Sequence, residues 1–192
     1  SATLHGDFVQ KNSRELIDNN NEGIIAHELF HQWFGDLVTC ESWSHLTLNE
    51  GFATYGEQLW IEHSKGPDAK LKKCYQTIER YLKYTTDHED LPIINFNYKD
   101  REDMFNALTY QKSSRVLHLL RTELGDEAFF LALKNYLNHH ACANAEIDDL
   151  RREFEWVSGR DLRPFFQQWF LQGGHPVIEL RYDYNDSSKL MG

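Results

Sequence analysis

A mainly α fold with a minor β part (α+β) is expected from this chain on three grounds. Apolar residues recur at helical spacing through most of its 192 residues, Gly and Pro interrupt those runs at intervals, and strand character is read only near the two ends. The length permits one real core, and 41% hydrophobic with 14% aromatic residues is a globular composition rather than a disordered one.

Taken in order, Leu4 to Gln10 reads as an edge strand. A first helix is expected with Asn21 as N-cap and Glu22 in its favourable first turn; Ile24, Ile25, Ala26, Leu29 and Phe30 make it largely apolar, and Gly35 ends it. Asp36 caps or turns the chain after that glycine. A second helix starts at Asn49 or Glu50, with Asn49 as its cap, and runs to about His63 before the stop at Gly66-Pro67. Thr86 to Pro92 reads as a surface loop. A helix from about Met104 to Glu123 sets Val116, Leu117, Leu120 and Leu124 on one side, Gly125 breaks it, and Asp126 caps a helix through Leu131, Leu133, Tyr136 and Leu137. Ala145-Glu146 opens another helix and Leu162-Arg163-Pro164 the last. Pro176 to Tyr182 alternates as a strand, and Asn185 to Ser188 is expected to fray.

The residues that carry chemistry stand in the first two helices. His27-Glu28-Leu29-Phe30-His31 sets two imidazoles at i and i+4, about 40° apart around a helix axis, so both can face one metal ion while the intervening glutamate flanks them. Two histidines leave a divalent ion under-coordinated, and the next suitable oxygen ligand is Glu50, 19 residues (31 to 50) beyond the second histidine. Two His, one Glu and an open fourth position make a catalytic type of zinc site. The plainer reading of a histidine on an apolar helix is a satisfied core residue, and the pairing with Glu50 argues against it. Glu57, two turns along one face from Glu50, is a candidate to accept the free ring N–H of a ligating histidine, with a solvated helix charge as the alternative. The other histidines, His139-His140 among them, are assigned to the surface.

The run from His27 through Gln32-Trp33-Phe34-Gly35-Asp36-Leu37-Val38-Thr39, followed by Leu48-Asn49-Glu50-Gly51-Phe52-Ala53-Thr54-Tyr55, resembles the M1 family of zinc aminopeptidases, the gluzincin group. Tyr110-Gln111-Lys112-Ser113 is similar to that family's Tyr-x-Lys-Gly segment with serine in place of the usual glycine, and Trp169 to Val177 resembles the stretch closing its catalytic domain. The resemblance implies a thermolysin-like zincin catalytic domain with one zinc ion held by His27, His31 and Glu50, Glu28 as general base, Tyr110 as the donor to the oxyanion, and peptides as substrates. Residues 1–176 are expected to form that domain, and 177–192 a strand and tail leading onward. The family's Gly-x-Met-Glu-Asn motif, which holds the substrate amine, does not occur here. The chain is therefore expected to be an excised piece of a longer enzyme, weakly active or inactive alone.

Composition excludes some classes. A formal net charge of −10 with no basic run opposes a nucleic-acid partner. No stretch approaches 18 consecutive apolar residues, and the first residues lack a basic-then-apolar signal pattern, so neither a membrane span nor an address is legible. Cys40, Cys74 and Cys142, odd in number and widely spaced, read as free thiols. A non-catalytic scaffold with the same fold is the competing reading; intact His27, Glu28, His31, Glu50 and Tyr110 speak for the enzyme.

Overall fold

The computed structural model describes residues 2–18, 21–88, 91–182, 184, 185, 190 and 191. In chain order it has helices α1 (Glu15–Asp18) and α2 (Glu22–Phe30), strand β1 (Val38–Cys40), and helices α3 (Thr47–Lys65), α4 (Pro67–His88), α5 (Ser113–Leu124) and α6 (Asp126–His139). Strand β2 (Ala143–Ala145), helices α7 (Ile147–Ser158) and α8 (Arg163–Trp169), and the short strands β3 (Tyr184–Asn185) and β4 (Leu190–Met191) complete it. The fold is mainly α, as expected.

Helix α3 is the axis on which the site is built. Leu48, Phe52, Ala53, Tyr55 and Gln58 are all buried along it, and α2, α4 and α5 pack around it. A helix covered on several sides needs small residues where its neighbours come closest. At Gly56 an added Cβ would stand 2.4 Å from Cγ of Phe30, so a side chain here would push α2 away. Beyond that contact Phe34 stacks on Phe52, ring centroids 4.1 Å apart and planes within 8°, and the core continues through Tyr136, Phe129, Phe154 and Phe170.

Strand β1 pairs with β2 in parallel, Val38 opposite Ala143 and Cys40 opposite Ala145, which ties the segment after α2 to the far half of the chain. Three-residue strands carry too little alternation to be read from sequence. At the head of α7, Glu146 and Asp149 form a reciprocal capping box, so the helix expected to open at Ala145-Glu146 does so. The last helix begins at Arg163, with Pro164 in its first turn.

Other expectations are corrected. Leu4 to Gln10 is not an edge strand; Asp7–Val9 forms a 3₁₀ turn, Leu4 is 89% exposed, and among the described residues no strand pairs with this segment. Asn21 occupies the N-cap position of α2 in the left-handed conformation without a side-chain cap bond; its amide donates to the Phe8 carbonyl at 3.0 Å. Helix α2 stops at Phe30, short of Gly35, and α3 starts at Thr47, so Asn49 lies inside its first turn and is no cap; its Oδ1 accepts from the Cys40 N–H at 3.2 Å. Residues 86–88 of the expected loop belong to α4, 89 and 90 lie outside the described residues, and 91–92 are irregular. The helix expected from Met104 is broken into a 3₁₀ turn at Arg101–Met104, a π turn at Leu108–Lys112, and α5. Gly125, not Asp126, is the cap position of α6, and Asp126 instead pairs with Arg121 at 2.7 Å. Pro176 to Tyr182 forms no ladder in the described residues and leaves Val177 91% exposed. Of the stretch expected to fray, Asn185 pairs in β3 and 186–188 lie outside the described residues.

Candidate metal centre

The site begins with a helix that ends early. After Phe30 the chain turns through His31–Trp33 and reverses at Gly35, whose φ of +146° is open to glycine and costly for other residues. That turn brings the Phe34 carbonyl back under His31, whose Nδ1–H donates to it at 3.0 Å. A Cβ at Gly35 would sit 3.3 Å from this same Nδ1, so the glycine also makes room for the ring.

His27, one turn earlier, is held from the other side. Its Nδ1–H donates to Glu57 Oε1 at 3.1 Å. A carboxylate and a carbonyl only accept hydrogen bonds, so each ring carries a proton on Nδ1 and turns its Nε2 toward Glu50. The two Nε2 atoms are 3.2 Å apart, and Glu50 Oε2 lies 3.1 Å from that of His27 and 3.2 Å from that of His31. Three donor atoms thus form a nearly equilateral triangle. A tetrahedral zinc with bonds of about 2.0–2.1 Å separates its ligand atoms by about 3.3 Å, so the donor set fits such an ion in chemistry and in spacing. Among the described residues these three form the one His/Cys/Asp/Glu group with that convergence.

Electrostatics gives the same picture. Burial disfavours charge on every member, but bonds to Glu50 and Glu57 outweigh it at His27 and lift its pKa to about 9. Burial would raise Glu50, and the two histidines pull it down to about 2 instead. Glu57 is also held below the usual carboxylate range against its burial, by His27 and by Lys73, whose Nζ is 2.7 Å from Oε2. The carboxylates stay ionised, and the protons they hold on the histidines are the ones a metal ion displaces on binding.

Tyr110 stacks beside His27, ring centroids 6.2 Å apart. It is carried by the π turn, in which the Lys112 N–H reaches back five residues to the Ala107 carbonyl at 2.9 Å; Asn106 Oδ1 takes the Leu108 N–H at 2.8 Å at its start. Burial first, and then the negative charges of Glu50 and Glu28, hold the phenol well above its ordinary pKa. It is therefore a neutral O–H donor at neutral pH. Glu28 is half-buried on α2 and is absent from the donor triangle. Ser113, standing where the resemblance expects glycine, is fully buried and hydrogen-bonded to Thr47.

The structure thus brings together His27, His31, Glu50, Glu57 and Tyr110. Asp36 is exposed in the turn after Gly35 and takes no part. Sequence reasoning missed the Phe34 carbonyl, a backbone atom without a residue signature, and Lys73, which arrives from a helix that had not been read. His45 also departs from expectation: it is buried, not on the surface, and its Nδ1 accepts from the Ile147 N–H at 3.2 Å, so it joins the approach to α3 with α7. His139 is on the surface, paired with Glu153 at 2.8 Å. The three cysteines are free thiols.

With that geometry in hand, comparison with known proteins is informative. The peptidase family M1 domain profile matches residues 6–169. Aminopeptidase M1-C of Oryza sativa subsp. japonica is 35% identical over 182 residues, covering 93% of this chain and 21% of that protein. Aminopeptidase N of Lactobacillus helveticus is 37% identical over 160 residues, covering 81% of this chain and 19% of that protein. The chain therefore spans about a fifth of the length of these relatives. Among solved structures, an M1 zinc metallopeptidase from Deinococcus radiodurans, an E323A mutant bound to a Tyr-Ser-Ala substrate, matches with TM-score 0.66 and 28% identity over 85% of this chain and 35% of that one. Native leukotriene A4 hydrolase from Saccharomyces cerevisiae matches with TM-score 0.73 and 25% identity over 85% of this chain and 28% of that one. A family match over this much of the chain, on a fold shared with solved members, shows that the protein belongs to peptidase family M1.

Proposed function

We propose that this domain is the catalytic centre of a zinc-dependent aminopeptidase that removes N-terminal residues from peptides. The reading is carried by one observation, the convergence of His27 Nε2, His31 Nε2 and Glu50 Oε2 to within 3.1–3.2 Å of one another, with the Nδ1 of each ring held by an acceptor. It is supported by the names of the relatives, which are aminopeptidases, and of the solved neighbours, which include a zinc metallopeptidase.

In this reading His27, His31 and Glu50 hold one zinc ion, which when bound supplies a Lewis acid for the scissile carbonyl and a water of lowered pKa. Glu28 takes the proton of the attacking water and delivers it to the leaving amine; a base that must exchange protons is better kept off the metal. Tyr110 donates its O–H to the oxyanion that develops on the carbonyl oxygen, and the neighbouring carboxylates keep that proton in place until it is needed. Glu57 and the Phe34 carbonyl keep the imidazoles turned so that no reorganisation accompanies binding.

Elemental analysis of the purified chain tests the proposal. About one zinc per chain is expected; Glu50→Ala weakens retention, and the His27→Ala, His31→Ala double variant abolishes it. Stoichiometric zinc in the double variant overturns the assignment.

A further inference from the structure

We propose that Lys73 is a positioning residue of the metal centre, acting through Glu57 on His27; the inference rests on the reading of His27, His31 and Glu50 as ligands. Lys73 stands on α4, a different helix from any ligand. Its Nζ lies 2.7 Å from Glu57 Oε2, and the other oxygen of that carboxylate lies 3.1 Å from His27 Nδ1. The three groups form a line from α4 through α3 to α2.

The need for the lysine follows from the freedom of a glutamate. The last torsion of Glu is broad and roughly two-fold, so a single bond to one imidazole leaves the plane of the carboxylate unfixed. Partners at both oxygens fix it. The Glu57 and Lys73 side chains are only 16% and 24% exposed, so water and salt weaken the pair less than they would a surface pair.

The surroundings sharpen the requirement. A cavity of about 800 Å³ opens against this pair, and its wall also carries Lys65, Lys72 and Arg80. Lys65 is engaged by Glu22 at 3.1 Å, whereas Lys72 and Arg80 are exposed on the same helix as Lys73. Without Lys73, Glu57 has other cations toward which to swing, each of which draws it away from Nδ1. His27 then loses the acceptor that fixes both its ring orientation and its tautomer. Lys73 thus selects, among the cations available, the carboxylate orientation that serves the metal ligand.

Metal affinity and metal spectroscopy on the full 192-residue chain test this. Zinc and cobalt(II) dissociation constants are measured by competition with a chromophoric chelator, the cobalt(II) visible spectrum reports ligand geometry, and thermal melting reports the fold. Losing a direct partner of a ligating histidine costs about 10–100-fold in affinity, so one residue further out Lys73→Met is expected to weaken zinc by about 5–10-fold and to change the cobalt spectrum. Lys73→Arg is expected to restore both to within about twofold, and Lys73→Met should add nothing in a Glu57→Ala background, because the two act in series. Lys73→Gln serves if Lys73→Met does not melt cooperatively. A lysine variant with wild-type affinity and spectrum overturns the inference while leaving the metal site standing, as do independent, additive losses from Lys73→Met and Glu57→Ala. A wild-type chain that takes up no zinc overturns the metal-site reading itself, and this inference with it.

Discussion

The Tyr110 ring lies nearly parallel to that of His27, their planes 17° apart, and burial together with the charge of Glu50 holds its phenol above the ordinary tyrosine pKa. A candidate oxyanion donor thus rests against one candidate metal ligand and feels the charge of another. Tyr110→Phe keeps the ring and its stacking and removes one hydroxyl. In an active enzyme that carries this domain, turnover of aminoacyl chromogenic substrates is expected to fall about 100-fold in kcat with little change in KM and with zinc content intact, since the bond is made mainly in the transition state. An unchanged kcat would mean that another group supplies the donor.

Glu28→Gln separates base from ligand. The change is nearly isosteric and touches none of the three converging atoms. Zinc content should stay at the wild-type level while turnover of an active enzyme that carries this domain drops by about 10² or more. Loss of metal together with activity would assign Glu28 a different role.

Packing between α2 and α3 makes a prediction about stability. The Gly56 position leaves no room for a methyl group against Phe30, and Phe30 is the residue immediately before His31. Gly56→Ala is expected to cost about 1–3 kcal/mol in urea unfolding, the range of overpacked cores, despite the better helix propensity of alanine. A midpoint equal to or above wild type would show that α2 can move outward freely.

His118 supplies a pH test away from the metal site. Burial, and then the charges of Lys70, Arg115 and Arg121, lower its pKa to about 4. An unfolded histidine titrates near 6.5, so between about pH 6.5 and 4 the unfolded chain binds more protons and stability declines as pH falls through that window. Above it this group has no effect on the pH dependence. His118→Gln should flatten the decline of melting temperature between pH 6.5 and 4; equal slopes in the two proteins would remove His118 as its source.

The site was more legible than the fold around it. His27 and His31 could be read because i, i+4 spacing on a helix is a local geometric fact, Glu50 because it is the next suitable oxygen ligand along the chain, and Glu57 from helical periodicity along α3. What escaped reading depends on contacts between distant segments. The π turn under Tyr110 comes from a single extra residue between Asn106 and Ser113, and no composition marks it. Asn21, Asn49 and Asp126 are all good capping types, yet each spends its side chain on a tertiary partner or an ion pair instead. Leu4 to Gln10 and Pro176 to Tyr182 have strand-like patterns, but pattern supplies no neighbouring strand. Lys73 was invisible for the same reason: its partner, Glu57, belongs to the preceding helix, and nothing in the spacing says which face of α4 will meet it.

The pairing of β1 with β2 has a consequence for synthesis on the ribosome. Val38 waits for a partner 105 residues later (38 to 143), a gap of about 5–20 s at ordinary elongation rates. In that interval the His27, His31, Glu50 and Glu57 segment has already emerged, but Tyr136, which covers Phe34, and Ala143, which closes the ladder, have not been made. The nascent chain therefore carries its metal-binding groups beside an unfinished apolar surface until the residues around Tyr136 and Ala143 arrive.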